Sequence, residues 1–277
     1  KSELALMFGI IVLLPLENNT LNLIPAPRMY KPLLLDYEAD KLEIGWRMKA
    51  LQEGMGLPPV MVNYRRCYIP LARDIEQIKR HVEETQSEFL IVDSLGPACG
   101  GELRDAGPAL DYFCALRQIK TYKGDPMTSF TLAHTAKNSE GKKSIFGSMF
   151  FEAIARSVWE INGDQEEDAD DINISLRHTK ANMSKKHKTL GFNVNFADDK
   201  TVISVINPQG ISGLVERMGA NTKILQCLKD RPMTQSELVA NTGLKDNNIY
   251  QALLRLKTKN LIVKEKGVWG LITHAEF

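Results

Sequence analysis

The sequence predicts an α/β domain built on a mostly parallel sheet, followed by a small module of a different type. Three observations carry this reading. Short runs of consecutive apolar residues alternate with longer helical stretches from residue 1 to about 206, as when strands are buried on both faces by crossover helices. Three of those runs end in polar residues: Leu33-Leu34-Leu35-Asp36-Tyr37-Glu38, Phe89-Leu90-Ile91-Val92-Asp93-Ser94 and Phe130-Thr131-Leu132-Ala133-His134. From Asn221 onward the pattern changes to short capped helices and one hairpin.

The elements follow in order. A helix over 2–13 leads into a stretch rich in Pro and Asn (Pro15, Asn18, Asn19, Pro25, Pro27), then a strand at 32–37. A helix at 40–54 counts Leu42, Ile44, Trp46 and Met48 among its apolar positions. A strand is expected at 60–64, and an amphipathic helix at 71–84 with Ile75, Ile78 and Val82 on one side. The strand at 89–93 opens into a glycine-rich loop (Gly96, Gly100, Gly101, Gly107). A helix at 108–120, a strand at 128–133 and a polar loop at 135–145 come next. Segments 157–161, 172–178, 191–196 and 201–206 read as antiparallel strands, an extension of the parallel core. Between the first two, 164–171 holds six acidic residues in eight and reads as a solvated hairpin tip.

The tail reads as a winged helix. Ile224, Leu225, Cys227 and Leu228 mark one helix, ended by Arg231-Pro232. Thr234 can cap a second, closed by Thr242-Gly243, and Asp246 or Asn247 a third with Ile249, Ala252, Leu253 and Leu256 inward. A hairpin with its tight turn at Glu265-Lys266-Gly267 completes the pattern, with the third helix in the recognition position. The expected domains are 1–210, a linker at 211–220, and 221–277.

Composition narrows the classes. Thirty-five Lys and Arg against 34 Asp and Glu leave a formal charge of +1, so no global field draws the chain to nucleic acid or membrane. The tail from 220 to 277 is locally basic, with nine Lys and Arg against five Asp and Glu, net +4. The four cysteines make no C-x-x-C pair, which suits a reducing cytoplasm. The apolar run 4–16 is shorter than the ~20 residues that span a bilayer. It also lacks a signal-type cleavage site, so no membrane partner is expected.

Chemistry enters at the strand ends. Lys1-Ser2, opening a helix, match the end of G-x-x-x-x-G-K-[ST], a loop that holds phosphates on backbone N–H groups while Lys reaches the β/γ oxygens and Ser binds Mg²⁺. The glycine half of that motif is absent from this sequence, as is a strand before it, and the first residue is Lys, as expected of a fragment. Asp93 suits a carboxylate that orders water around Mg²⁺, or a plain strand-end cap. Glu38 suits the carboxylate that orients the attacking water; Asp36, two residues earlier, is the alternative. Glu38 is favoured because it lies nearer the carboxyl edge of the sheet, where α/β proteins place ligands. His134 can hydrogen-bond a γ-phosphate and relay its loss, or be an ordinary surface histidine. Arg104, and Lys137, Lys142 and Lys143 in the polar loop, can touch a nucleic-acid backbone or lie in solvated loops. Arg156 reads first as a structural arginine. On the tail, Lys245, Asn247, Asn248, Gln251, Arg255 and Lys266 are candidate DNA contacts, the amides for base edges and the cations for phosphates. The rival reading of that module is a protein-contact surface.

The ordered set Lys-Ser, D-Y-E after one strand, D-S after another, L-A-H-T-A-K, A-R-S-V-W-E and H-T-K-A-N resembles the RecA-like P-loop ATPases of the RepA type. These are replicative helicases of plasmids and phages, related to the DnaB and KaiC groups. The resemblance covers about residues 1–206. It implies a RecA-like fold, dependence on ATP and Mg²⁺, and homo-oligomeric rings, hexamers, with ATP held between subunits. By that likeness Lys1 and Ser2 are the Walker A residues, Glu38 the catalytic carboxylate, Asp93 the Walker B acid and His134 a sensor. Arg156 becomes an arginine finger offered to the neighbouring subunit, and Lys180 a second cation in trans. The winged helix is an addition to the minimal helicase. The expectation is an ATP-driven DNA motor or loader, acting on single-stranded or duplex DNA. Its rivals are an ATP-gated DNA-binding regulator without translocation and a helicase fragment of a larger primase–helicase.

Overall fold

The structure, a computed structural model, describes residues 1–15, 21, 28–135, 145–165, 169–197, 199–208, 220–258 and 261–272. The candidate contacts Lys137, Lys142 and Lys143, positions 211–219 of the expected linker, and the centre of the acidic hairpin tip lie outside the described residues, while Ala220 already begins a helix. The chain divides into two compact units, Lys1–Pro208 and Gln209–Phe277.

The first unit is centred on a parallel four-stranded sheet. Its strands are β1 (Pro32–Asp36), β2 (Asn63–Arg66), β3 (Phe89–Asp93) and β4 (Thr128–Thr131), in the order β2-β1-β3-β4. Alternation along β1 and β3 sends side chains to opposite faces. Leu34 and Ile91 join one core with helices α1 (Ser2–Leu13) and α2 (Lys41–Met55). Leu33, Leu35, Leu90 and Val92 join another with α3 (Ile75–Thr85), α4 (Leu95–Cys99) and α5 (Ala106–Gln118). With both faces covered, the central strands must be apolar throughout, and each fully buried Leu or Val contributes roughly 1.5–3 kcal/mol.

A short helix α6 (Met149–Ile154) leads to an antiparallel sheet. This comprises β5 (Ser157–Asp164), β6 (Asp171–Ala181), β7 (Leu190–Ala197) and β8 (Lys200–Ile206), in chain order. Its inward residues Ile174, Leu176, Phe192, Val194 and Ile203 belong to the same core as α1 and α2. Helix α2 lies directly on β8: the Ile203 N–H donates to Met55 Sδ at 3.0 Å.

Several expected elements move. The strand expected at 60–64 is β2 at Asn63–Arg66, while Met61 is exposed and Val62 is buried in the core. Pairing with β1, reinforced by Arg65–Asp74 (2.8 Å) and Arg66–Asp36 (3.5 Å) ion pairs, outweighs hydrophobicity on this edge. The helix expected from 71 begins at Ile75, because the Leu71 N–H is taken by the Ala98 carbonyl and Asp74 is held by Arg65. The first part of the expected glycine-rich loop is helix α4. On α2, Ile44 and Met48 are buried, whereas Leu42 and Trp46 are each 72% exposed.

The second unit has helices α7 (Ala220–Asp230), α8 (Gln235–Thr242) and α9 (Asp246–Thr258), then a hairpin of β9 (Ile262–Glu265) and β10 (Val268–Leu271). Thr234 and Glu237 form a reciprocal capping box on α8, and Gly243 closes it at φ 64°. The hairpin turns on Lys266 and Gly267, both at positive φ (47° and 89°), as a two-residue turn matching strand twist requires. Ile224, Leu238, Ile249, Leu253 and Trp269 fill the unit's own core.

Two glycines of α2 give opposite expectations. A Cβ at Gly54 would lie 2.3 Å from the Thr201 carbonyl oxygen of β8, whereas one at Gly45 meets nothing within 4 Å. Gly45→Ala should stabilise the protein by roughly 0.5–1 kcal/mol through helix propensity. Gly54→Ala should destabilise it by about 1–3 kcal/mol, because backbone must separate. Denaturant midpoints of the two variants check this; equal shifts in one direction would contradict the α2–β8 contact.

Candidate functional site

The site begins with register. β1 and β3 pair so that Asp36 lies opposite Asp93, and both strands end on the same edge. The chain then crosses between them, the Tyr37 N–H donating to the Asp93 carbonyl at 2.7 Å. Beyond β4, the Leu132 N–H donates to the Val92 carbonyl, which brings Ala133 and His134 to that edge as well.

The two carboxylates after β1 separate by environment. Asp36 is buried and fully engaged. Its Oδ1 accepts from the Glu38 and Ala39 N–H groups, both at 2.9 Å, and its Oδ2 from the Tyr64 hydroxyl at 2.8 Å. Burial and this carboxylate push the Tyr64 hydroxyl's pKa upward. The turn that Asp36 closes carries Glu38 past the strand, with its side chain 47% exposed. Asp36 is therefore a structural cap, and Glu38 is the carboxylate available for chemistry.

Glu38 Oε1 accepts a hydrogen bond from Ser94 Oγ and lies 3.8 Å from His134 Nε2. The other ring nitrogen, Nδ1, is 3.2 Å from Lys1 Nζ, which also donates to the Ala133 carbonyl at 3.3 Å. An ammonium can only donate, so Nδ1 accepts and the neutral ring carries its proton on Nε2, facing Glu38. Lys1, His134, Glu38 and Ser94 thus form one polar chain across four segments that meet only in the fold.

Asp93 stands beside this chain, 9% exposed. Burial raises its proton affinity; a hydrogen bond with the Ser2 side chain opposes that, and Glu38 and Asp36 add to it. Burial likewise lowers the Lys1 ammonium pKa, with Glu38 and Asp93 pulling it back. Lys1, Ser2, Glu38, Asp93 and His134 accordingly share one edge. Ser94 is a contributor that sequence reasoning did not assign; its signal was a hydroxyl directly following the strand-end acid.

Other candidates lie apart. Among the described residues, no hydrogen bond or ion pair joins Arg104, Arg156 or Lys180 to that cluster. Arg104 occupies an exposed turn before α5. Lys180 Nζ donates to the Glu152 and Ala153 carbonyls at 2.7 and 2.6 Å, a cation on the C-terminal end of α6. Arg156 is exposed, directly after that helix, and its carbonyl accepts from the Asn182 N–H at 2.9 Å. Nearby, β5, β6 and the segment after β6 are tied together by His178, buried and stacked on Trp159 with centroids 4.2 Å apart. Its Nδ1 accepts from the His187 N–H (3.0 Å), so Nε2 donates to Ser157 Oγ (2.9 Å), which also accepts from Trp159 Nε1 (3.0 Å). Burial and His187 lower the His178 pKa, in keeping with a neutral ring. In the second unit Lys245, Asn247, Asn248, Gln251, Arg255 and Lys266 are all exposed.

No protein-family model matches the chain, and no curated protein matches it. Solved structures to which it is similar include the flagellar accessory protein FlaH from Methanocaldococcus jannaschii, at 13% identity over 75% of this chain and 84% of that one, TM-score 0.44. The KaiC-like protein PH0186 from Pyrococcus horikoshii OT3 shares 16% identity over 63% and 75% of the two chains, TM-score 0.40. The RadB recombinase shares 15% over 75% and 86%, TM-score 0.47. Likenesses at this level decide nothing about activity, which rests on the residues themselves.

Asp93 yields a test of the site's electrostatics. Its folded-state pKa is raised, so the ionised carboxylate costs stability; the cost develops as pH climbs through the carboxylate range and is complete at neutral pH. Asp93→Asn should therefore raise the melting temperature at pH 7, by roughly 2–4 °C for each kcal/mol relieved. The gain should vanish below the carboxylate range. A lower melting temperature at pH 7 would contradict the burial account.

Proposed function

We propose that the chain is an ATP-dependent DNA motor, a helicase or helicase loader of a plasmid- or phage-type replication system. The observation that carries this reading is the convergence of Lys1, Ser2, Glu38, Asp93 and His134, from separate segments, on the carboxyl edge of a parallel sheet. A cation, a hydroxyl, a buried acid and an exposed acid are the groups phosphoryl transfer to water requires. A buried carboxylate disfavoured as an anion, beside a hydroxyl, is a donor pair that a divalent cation relieves. Mg²⁺ would accordingly be held by Asp93 and Ser2, and when bound it would neutralise charge on the phosphate oxygens. Among the described residues no three His, Cys, Asp or Glu side chains gather as a metal-binding group, so phosphate and water would supply its other ligands.

In this reading Lys1 holds the terminal phosphates and Glu38 orients the attacking water and accepts its proton. Ser94 fixes the Glu38 carboxylate. His134, held between Lys1 and Glu38, responds when the γ-phosphate leaves. Arg156 and Lys180 act on the ATP of a neighbouring subunit in a homo-oligomeric ring, most simply a hexamer, and Lys180 must release the α6 carbonyls to do so. The second unit is read as a winged helix that holds DNA through Lys245, Asn247, Asn248, Gln251, Arg255 and Lys266, while Arg104 and the lysines at 137, 142 and 143 contact DNA from the ring. The same site would equally serve an ATP-gated DNA-binding regulator; strand displacement driven by hydrolysis separates the two.

One observation favours a second reading of the small unit. Tyr250 and Leu254, one turn apart on α9, are 46% and 40% exposed among its polar residues. An apolar pair there suits a protein partner better than a phosphate backbone.

Two outcomes follow. In the protein as its gene encodes it, Glu38→Gln should still bind ATP while hydrolysis falls by ~10²–10⁴-fold; turnover near wild type would remove Glu38 from the mechanism. Arg255→Ala should weaken duplex binding at every sequence and reduce the slope of log K against log salt by about 1. An unchanged slope, with binding to a protein partner lost in Tyr250→Ala, would assign the unit to protein contact.

A further inference from the structure

The segment between β6 and β7 carries charge that the proposed mechanism does not use. It is exposed from Asn182 to Lys188 and holds Lys185, Lys186 and Lys188. Its two ends are fixed: the Asn182 N–H donates to the Arg156 carbonyl at 2.9 Å, and Leu190 pairs with Leu176 in the sheet. Among the described residues, one hydrogen bond ties the stretch between them to the rest of the fold, from the His187 N–H to His178 Nδ1 at 3.0 Å. That bond needs a lone pair on Nδ1, and so a neutral ring. The other contacts of the ring do not. Nε2–H can donate to Ser157 Oγ, 2.9 Å away, in either charge state. The stack on Trp159 also survives, because a cation over an indole face is attracted to it.

We infer that His178 is a proton-operated latch: the neutral ring holds the basic segment 183–189 on the sheet, and a proton on Nδ1 releases it. Protonation turns the acceptor into a second donor facing the His187 N–H. The bond that fails is therefore the one that holds the segment, while the ring and both strands stay in place. The groups around the ring set its bias. The segment presents Lys186 and His187, whose ring lies 5.4 Å from that of His178, and Lys180 follows two residues on along β6. β5 presents Ser157 and Trp159, which do not titrate here, and its Glu160 is engaged by Arg177. Burial disfavours the charged ring most, His187 and Lys186 add to this, and a backbone hydrogen bond with Lys180 opposes them. The lowered folded-state value means that the closed latch contributes stability above the ordinary histidine range and loses it as pH falls through that range. Release would free three lysines beside Arg156 and Lys180. The inference stands on hydrogen-bond geometry and is independent of the nucleotide reading.

Nuclear magnetic resonance on the 277-residue chain tests the latch. At about pH 8 the His178 ring nitrogens should report a neutral ring with its proton on Nε2. On lowering the pH to about 4.5, the His187 amide should lose at least about tenfold of its exchange protection, corrected for intrinsic exchange, in step with protonation of that ring. The Phe192 and Val194 amides of β7 should keep theirs. His178→Gln supplies a carbonyl acceptor that takes no proton, so its His187 amide should show no such step. Constant protection of the His187 amide, or a loss out of step with the His178 ring, would overturn the inference. So would a step that persists in His178→Gln, or one shared with Phe192 and Val194, which is acid unfolding. Should the variant not fold, ring and amide of the unaltered chain still decide.

Discussion

The candidate site depends on the parallel register of β1 against β3. Because Asp36 lies opposite Asp93, the two strands end together, and Glu38 and Ser94 follow within two residues of that line. Asp36 spends both oxygens on the turn and on Tyr64, and so throws Glu38 outward. Asp93 stays inside, beside Ser2. A slip of one residue would exchange the faces of the apolar side chains as well as move the acids. The two cores that sandwich the sheet are therefore what hold the site in place.

Environment, rather than residue type, divides the work among the acids. Asp36, Glu38 and Asp93 lie within a small volume, yet one is saturated with donors, one is half in solvent and one is buried with its proton affinity raised. Such separation is what the proposed roles of cap, proton acceptor and cation ligand would require. The His134 ring, set between the Lys1 ammonium and the Glu38 carboxylate, links the ends of β1 and β4 to the start of α1.

Much of this was legible in the sequence because it is local. Consecutive apolar residues ending in Asp or His announced β1, β3 and the end of β4, and the preference for Glu38 over Asp36 followed from its distance past the strand. The antiparallel strands and Thr234 as a helix cap were likewise visible as short-range patterns. Long-range pairing was hidden. β2 is polar, and its pairing and ion pairs rather than hydrophobicity place it at Asn63–Arg66. Ser94 gained its role only when β1 and β3 came side by side. The His178–Trp159–Ser157 lock joins residues on two strands through ring stacking and a fixed tautomer, which no spacing rule reports.

The central claim is that the strand-end cluster is a nucleotide site. The most direct measurement is the crystal structure of the protein as its gene encodes it, with a non-hydrolysable ATP analogue and Mg²⁺. The account predicts the terminal phosphates at Lys1, a metal whose coordination shell is shared by Ser2 and Asp93, and a water between the γ-phosphate and Glu38. Nucleotide bound elsewhere, or bound with Asp93 and Ser2 untouched by metal, would contradict it.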